Sequence, residues 1–187
     1  SGSLAVNVIK SDTAAYIGAA QINQNGPASS DKSVAVTSDS NTNIVTVAAN
    51  GGGAGAASVG GVLNVNTLFK NTKAYIGEGA VVAADKNVLV AANSAQNIIA
   101  GGIAIHGAGA AAVSGVVAVN VIANTTEAFI GSDRTDDTKS KAQVDSDGNV
   151  TLSAVDDSLV VAVSAAGNGA GAAGVGFNIG ANVVSSQ

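Results

Sequence analysis

The chain has 187 residues and a formal net charge of −5, and 47% of its residues are hydrophobic although only 3% are aromatic. It contains no cysteine, which excludes a disulfide framework and thiolate chemistry. Its eight Lys and Arg residues form no cluster, so binding to a nucleic-acid backbone has no electrostatic basis. Apolar residues that are mainly Ala, Val and Ile, together with 24 glycines, predict a narrow core with closely spaced backbones.

Imperfect copies of one repeat cover the whole chain. The triplet Tyr75-Ile76-Gly77 recurs as Tyr16-Ile17-Gly18 and Phe129-Ile130-Gly131, and Asn66 has counterparts at Asn7, Asn120 and Asn182. We divide the chain into copies at residues 3–61, 62–115 and 116–177, with the start of another at 178–187. Such a repeat is typical of a solenoid, in which each unit packs only on its neighbours. We expect a single segment of a longer repeat protein, because the first and last copies are incomplete.

Taken in chain order, the elements read as short strands separated by turns. Residues 3–9 alternate in polarity, the polar step at 10–12 predicts a turn, and residues 14–18 predict the next strand. Similar runs predict strands at 33–37, 43–48, 80–84, 87–92, 98–105 and 108–113, with a glycine turn at 50–53. We therefore predict an all-β chain forming a right-handed parallel β-helix, with about eighteen residues per coil and roughly three coils per repeat of about 54 residues.

Two polar segments interrupt the repeat. Residues 23–32 contain the only proline, and residues 132–141 form a hydrophilic insertion in the third copy. A solenoid tolerates insertions at its turns, so both segments are predicted to project as loops, and recognition commonly resides in loops. The candidate partner-binding residues are Asn23, Asn25, Asp31, Lys32, Asp133, Arg134, Asp136, Asp137, Lys139 and Lys141.

One apolar stretch has an alternative interpretation. Residues 98–123 contain no Asp, Glu, Lys or Arg, and their length would suit a transmembrane helix. The same pattern recurs in copies that carry Asn, Ser and Asp, and neither Trp nor a basic flank marks a membrane interface. These features favour strands over a membrane helix.

Several motifs that could carry chemistry are better explained as structure. The glycine pattern at 169–174 matches a dinucleotide-binding fingerprint but lacks the acidic residue that should follow, so we predict a turn. His106 is the only histidine, and we predict it to be exposed in a turn. Asp145-Ser146-Asp147-Gly148 begins like a calcium loop but lacks its closing Glu, so an Asp-Gly turn is favoured. Adjacent carboxylates at 136–137 and 156–157 are predicted to be solvated rather than catalytic. We predict no catalytic residue, cofactor or metal.

The strings VNVI, AYIG, NVLV and GAGAA carry a family resemblance over essentially the whole chain. The chain resembles the repetitive passenger regions of large filamentous adhesins and exoproteins secreted by the type V pathways (autotransporters and two-partner secretion), particularly leukotoxin-type adhesins. The resemblance implies a parallel β-helix that is secreted or exposed at the bacterial outer membrane and binds host cells or other bacteria. It also implies cytotoxicity for leukotoxin members, and it transfers no catalytic residues.

We therefore expect a non-catalytic adhesin or toxin segment, a rigid rod that presents loops to a host-cell surface protein or glycan. Its other partners would be neighbouring solenoid repeats of the parent chain, and we expect neither nucleic-acid binding nor membrane insertion by this segment. Three alternatives stay open: a purely structural spacer, a polysaccharide-active enzyme on a β-helix, and a membrane-inserting segment.

Overall fold

In the computed structural model, which describes residues 1–24, 31–132 and 141–187, these ranges contain β-strands and no helix. The predicted all-β class is confirmed. The long strands are β1 (Gly2–Ile17), β3 (Val34–Ala54), β4 (Ala57–Ile76), β6 (Val88–Ala108), β7 (Ala111–Ile130), β9 (Val150–Ala170) and β10 (Ala173–Ser186). The short strands are β2 (Gln21–Ile22), β5 (Val81–Ala84) and β8 (Gln143–Ser146).

The strands form three parallel sheets, which the chain visits in rotation. Sheet A has the order β1-β4-β7-β10, sheet B has β2-β5-β8, and sheet C has β3-β6-β9. One passage through sheets A, B and C is called a coil below. Because each coil adds one strand to every sheet, in sequence order, the arrangement is compatible with a β-solenoid.

The size of the coil differs from the prediction of about eighteen residues. Asn7, Asn66, Asn120 and Asn182 are register partners on adjacent strands of sheet A. Their separations along the chain are 59, 54 and 62 residues, so one sequence repeat forms one coil rather than three. Ser3, Val62, Val116 and Asn178, the first residues of the four copies, share one register position.

The error arose from polar residues that lie inside strands. The polar step at residues 10–12 belongs to β1 and the glycines at 50–53 belong to β3, although both were predicted as turns. In β4 the side chains of Lys70 and Thr72 alternate in phase with Leu68 and are buried like it. These polar residues therefore occupy inward-facing positions, and the strand continues past them.

Sheets A and C face each other across a narrow core. Leu68 of sheet A and Ile98 of sheet C are fully buried in one apolar cluster. A second cluster, which includes Ile76 and Val88, fills the region beside sheet B. Burial of each such aliphatic side chain stabilises the fold by about 1.5–3 kcal/mol. Polar side chains occupy the core between these clusters, and they carry most of the candidate chemistry.

At the edge opposite sheet B, each coil passes from sheet C to the next strand of sheet A through a two-residue turn. Gly109 and Gly171 occupy equivalent positions in two of these turns. A Cβ atom at Gly109 would lie 2.1 Å from the carbonyl oxygen of Gly55 in the coil before it. Because that neighbour is backbone, it cannot move aside, and glycine is required at this position.

The transmembrane-helix interpretation of residues 98–123 is wrong. These residues form the end of β6, a turn at 109–110, and the first part of β7. The described residues include no helix with the length and apolar character needed to cross a membrane.

Candidate partner-binding edge

Sheet B forms a narrow edge with one corner on each side. The chain passes from sheet A to sheet B at the first corner and from sheet B to sheet C at the second. The insertion at 132–141 follows β7 at the first corner, and the segment 23–32 follows β2 at the second corner. Both predicted loops therefore attach to the same edge. Their coils are separated by one intervening coil, so the attachment points lie about 10 Å apart along the stack.

Three of the predicted partner-binding residues hold the segment 23–32 against the middle coil. Asn23 adopts a left-handed backbone conformation (φ 61°), and its Nδ2 donates a hydrogen bond of 2.9 Å to the carbonyl oxygen of Ala83. Asp31 forms an ion pair with Lys86, and Lys32 lies 4.0 Å from the carboxylate of Asp85. These contacts fix both ends of the segment.

The remaining predicted residues divide into two groups. Lys141 is exposed at the end of the other insertion. Asn25, Asp133, Arg134, Asp136, Asp137 and Lys139 lie outside the described residues.

An aromatic column lies on the outer face of sheet A beside the first corner. The rings of Tyr16, Tyr75 and Phe129 are stacked, with centroids 5.1 and 4.8 Å apart and nearly parallel planes. Lys73 and Glu127 form a 2.7 Å ion pair next to the column. Because the middle ring is covered on both faces, Tyr75 presents its edge rather than a flat stacking surface. Sequence reasoning used these residues only as a repeat marker and missed this column.

The principal buried cation is Lys70, in the core between the two sheets. Its Nζ donates hydrogen bonds to the carbonyl oxygens of Ser40 (2.8 Å) and Ala95 (3.1 Å), and the residue is 4% exposed. Burial lowers the pKa of Lys70, and the nearby Asp156 carboxylate partly opposes that shift. Sequence reasoning missed this residue because its counterpart in the first copy, Ser11, was predicted to lie in a turn.

Asp156 is the anionic centre of the same polar region. Its Oδ1 accepts hydrogen bonds from Gln96 Nε2 (2.7 Å) and Ser158 Oγ (2.9 Å), and its Oδ2 accepts one from Thr126 Oγ1 (3.1 Å). Asp157 is exposed on the opposite face of β9, but the prediction that both carboxylates are solvated is wrong for Asp156, which faces inward within the strand. The carboxylate is therefore surrounded by neutral donors rather than by a second acid.

The prediction of an exposed turn histidine is wrong. His106 is 1% exposed and lies on the inner face of β6. Its Nε2 is 3.1 Å from Ser1 Oγ, and a Cβ atom at Gly60 would lie 2.0 Å from that nitrogen. The imidazole fits because the facing strand has glycine at this position. The register partners Gly52 and Asn168 suggested a turn, but all three positions lie within strands.

The recurrent asparagines form a continuous hydrogen-bonded column inside the core. Nδ2 of Asn7 donates to Oδ1 of Asn66, Asn66 donates to Asn120, and Asn120 donates to Asn182, each at 2.8 Å. Oδ1 of Asn66 also accepts a hydrogen bond of 2.8 Å from Thr46 Oγ1. The predicted role was structural hydrogen bonding to turn amides. The partners are instead the equivalent side chains of adjacent coils.

The other motifs occupy turns and strands. The glycine pattern at 169–174 spans the end of β9, a turn at 171–172 and the start of β10, so no helix follows it. Asp147 and Gly148 form the predicted turn between β8 and β9. Over residues 1–24, 31–132 and 141–187, no group of three or more His, Cys, Asp or Glu side chains is placed to hold a metal ion.

Comparison of the chain with protein-family models, with curated proteins and with solved structures found no match.

Proposed function

We propose that this chain is a non-catalytic segment of a secreted or surface-exposed bacterial adhesin or toxin. In this proposal, a right-handed β-solenoid acts as a rigid rod and presents the segments 23–32 and 132–141 to a host-cell surface protein or glycan. Right-handed winding is expected because parallel crossover connections are right-handed in nearly all proteins. The resemblance of the repeat strings to filamentous adhesins supports the biological setting.

The observation that carries the proposal is the attachment of both insertions to one edge. The sheets keep their register through coils of different length, and the extra residues are confined to the corners beside sheet B. Segments that project side by side from a rigid edge can engage one partner together, and weak contacts repeated along a longer rod would add through multivalency.

The middle coil supplies the template for the test. Deletion of residues 25–30 brings Asp31 and Lys32 to the positions that Asp85 and Lys86 occupy before β6. Deletion of residues 133–140 gives the other corner the length that it has between β4 and β5. The doubly deleted protein should therefore keep the strand-dominated far-UV circular dichroism spectrum of the parent.

Binding of the fluorescently labelled chain to cultured host cells is then compared among the parent, the two single deletions and the double deletion. We expect the double deletion to lose binding and each single deletion to weaken it. Unchanged binding by a folded double deletion would reject recognition by these segments and favour a structural spacer. Turnover of acidic or neutral glycans by the parent would instead favour the enzyme alternative.

A further inference from the structure

In the part of the chain that the structure describes, the charged side chains are confined to one half of the coils. Every Asp, Glu, Lys and Arg lies outside residues 1–9, 43–69, 87–126 and 158–187. These four ranges include all the turns between sheets C and A and the adjoining halves of the long strands. Among the residues that the structure describes, the half opposite sheet B therefore has no charged side chain, and the charged side chains lie in the half that contains sheet B.

Within the uncharged half, the outer face of sheet A forms an apolar field. We define this field by the outward-facing residues of 2–8, 57–67, 111–121 and 173–183. These residues are Gly2, Leu4, Val6, Val8, Ala57, Val59, Gly61, Leu63, Val65, Thr67, Ala111, Val113, Gly115, Val117, Val119, Val121, Ala173, Val175, Phe177, Ile179, Ala181 and Val183. Thr67 is the one polar member. Leu4 is 67% exposed and Val8 is 68% exposed.

The polarity of this region is the reverse of that of an ordinary soluble sheet. Asn64, Asn66, Ser114 and Asn120 face the core and are buried, whereas the aliphatic side chains between them face outward. A sheet with one solvated face normally has its polar residues on that face, and parallel sheets are usually covered on both faces. The outward aliphatic residues therefore indicate a face that is covered in the functional state.

The size of the apolar field matches a protein interface. Seven residues of β1 and eleven of each of β4, β7 and β10, at ~3.3 Å per residue and ~4.8 Å per strand, give an area of roughly 630 Å². Two such faces would bury about 1,300 Å² in total, which lies at the lower end of the range of stable interfaces. The uncharged outer face of sheet C has three strands and a similar area, roughly 600 Å², so the choice of sheet A depends on the shape of its surface.

The surface shape of the apolar field is complementary to the same field on a second copy of the chain. The ring of Phe177 lies over Gly115, since a Cβ atom there would be 2.2 Å from the ring. The adjacent strands carry Gly61 and Gly2 at the same register position, beside Leu63 and Leu4. A two-fold axis parallel to the strands, between β4 and β7, would set β10 of each copy over β1 of the other, so that the Phe177 ring, which leans over Gly115, meets the Gly2 and Gly61 pair of the other copy. The interface would be isologous, as in most homodimers.

Lipid is a poorer fit to the same surface. Elements that lie on membranes usually combine an apolar face with Trp and with a rim of Lys and Arg. This chain has no Trp and a net charge of −5, and the basic residues that the structure describes lie in the other half of the coil. We propose that the apolar field of sheet A binds the apolar field of a second copy, which joins two solenoids side by side. The proposal is independent of the predicted loops.

Sedimentation velocity on the purified chain tests this proposal, with two substitutions that are matched in position. Val119 is central in the apolar field on β7, and Ile103 is at the corresponding central place on the outer face of β6 in sheet C. We expect the parent and Ile103→Lys to be dimers at about 50 µM, and Val119→Lys to be a monomer. Phe177→Ala should raise the dissociation constant at least tenfold, as expected when a large aromatic anchor is truncated.

A chemical test that tolerates loss of stability uses the absence of cysteine. Val119→Cys should be joined into a covalent dimer by a short bis-maleimide, whereas Ile103→Cys should stay monomeric. If Val119→Lys fails to give a strand-dominated spectrum, Val119→Thr, which keeps the branched shape, replaces it.

Four results would overturn the proposal. The first is a parent that stays monomeric to about 100 µM. The second is cross-linking of the cysteine variant at position 103 but not of the one at position 119. The third is a dimer that Asn182→Lys, at the open edge of β10, abolishes and Val119→Lys does not, and the fourth is flotation of the parent with neutral phosphatidylcholine vesicles that Val119→Lys abolishes. The second would assign the contact to sheet C, the third to end-to-end stacking, and the fourth to lipid.

Discussion

Replacement of Asn66 by Ala tests whether the asparagine column stabilises the fold. Asn66 is fully buried and takes part in hydrogen bonds with Asn7, Asn120 and Thr46. Without its amide, Oδ1 of Asn120 and Oδ1 of Asn64 lose a donor and the hydroxyl of Thr46 loses its acceptor, whereas Nδ2 of Asn7 keeps a 2.9 Å bond to Thr46. A buried polar group without a partner costs about 1–3 kcal/mol. Three such groups, together with the volume left empty, predict a loss of at least about 3 kcal/mol in the free energy of unfolding.

Urea unfolding followed by far-UV circular dichroism measures this loss, from the transition midpoint and the slope of each variant. Asn43→Ala is the matched control, because Asn43 is exposed in the middle of β3 and faces outward. It should change stability by less than about 0.5 kcal/mol. A cost for Asn66→Ala within about 1 kcal/mol of this control would refute the reasoning, since buried amides without partners must cost more than that.

Asn66→Asp adds a dependence on pH. The ionised carboxylate would place an acceptor against Oδ1 of Asn120, whereas the protonated form can donate to it. Burial and the loss of the donor raise the pKa of the new carboxyl in the folded state. Its penalty should therefore be small below the unfolded pKa and should grow as the pH rises through the folded pKa. A penalty that is equal at pH 4 and pH 7.5 would contradict the hydrogen-bond direction assigned to the column.

Two further predictions concern the core and the turns. Because burial lowers the pKa of Lys70, the unfolded chain binds more protons than the folded chain between that lowered pKa and 10.5, and stability should rise with pH in this window. The unfolding free energy of the parent relative to Lys70→Met should therefore increase from pH 7.5 to pH 10, and a pH-independent difference would show that Lys70 does not titrate in this way. Gly109→Ala should lower the free energy of unfolding by at least about 2 kcal/mol, because the new Cβ would lie 2.1 Å from the carbonyl oxygen of Gly55 and force a contact with backbone. Gly55→Ala is the control, because no atom lies within 4 Å of a Cβ at Gly55. Thermal unfolding of Gly109→Ala and Gly55→Ala compares the two, and equal melting temperatures would contradict the packing of the turns.

The sequence pattern predicts the all-β class and the residues that stack on one another, because both follow from local alternation and internal similarity. Asn7, Asn66, Asn120 and Asn182 were matched from the sequence alone, and they are adjacent in sheet A. The coil length was not predictable in the same way. It depends on whether Lys70 and its neighbours end a strand or continue it, and local polarity favours a turn although the strand continues. Only pairing between distant strands decides this question.

The same limit applies to the candidate sites. His106 has turn-forming residues, Gly52 and Asn168, at its equivalent positions, yet the decisive contact is with Gly60 on the facing sheet. No spacing within one strand indicates which glycine on another strand will leave room for an imidazole. The positions of the two insertions were predictable, because an interruption of a repeat is visible without knowledge of how the repeat folds. Their attachment to one common edge required the order of the sheets.

Because the register of the sheets is unbroken beside sheet B, the backbone fixes the distances between the corners along this edge. Successive corners at this edge are spaced by the separation of hydrogen-bonded strands, about 4.8 Å, whatever number of residues the chain carries between them. Groups attached at residues 23–32 and 132–141 are therefore held at a spacing that the backbone sets, while their chemistry and size can change without altering it. In a series of variants, the same segment could be moved to the corner of a different coil. The distance between the two attached segments would then change in steps of one strand, which is a finer interval than a flexible linker can define.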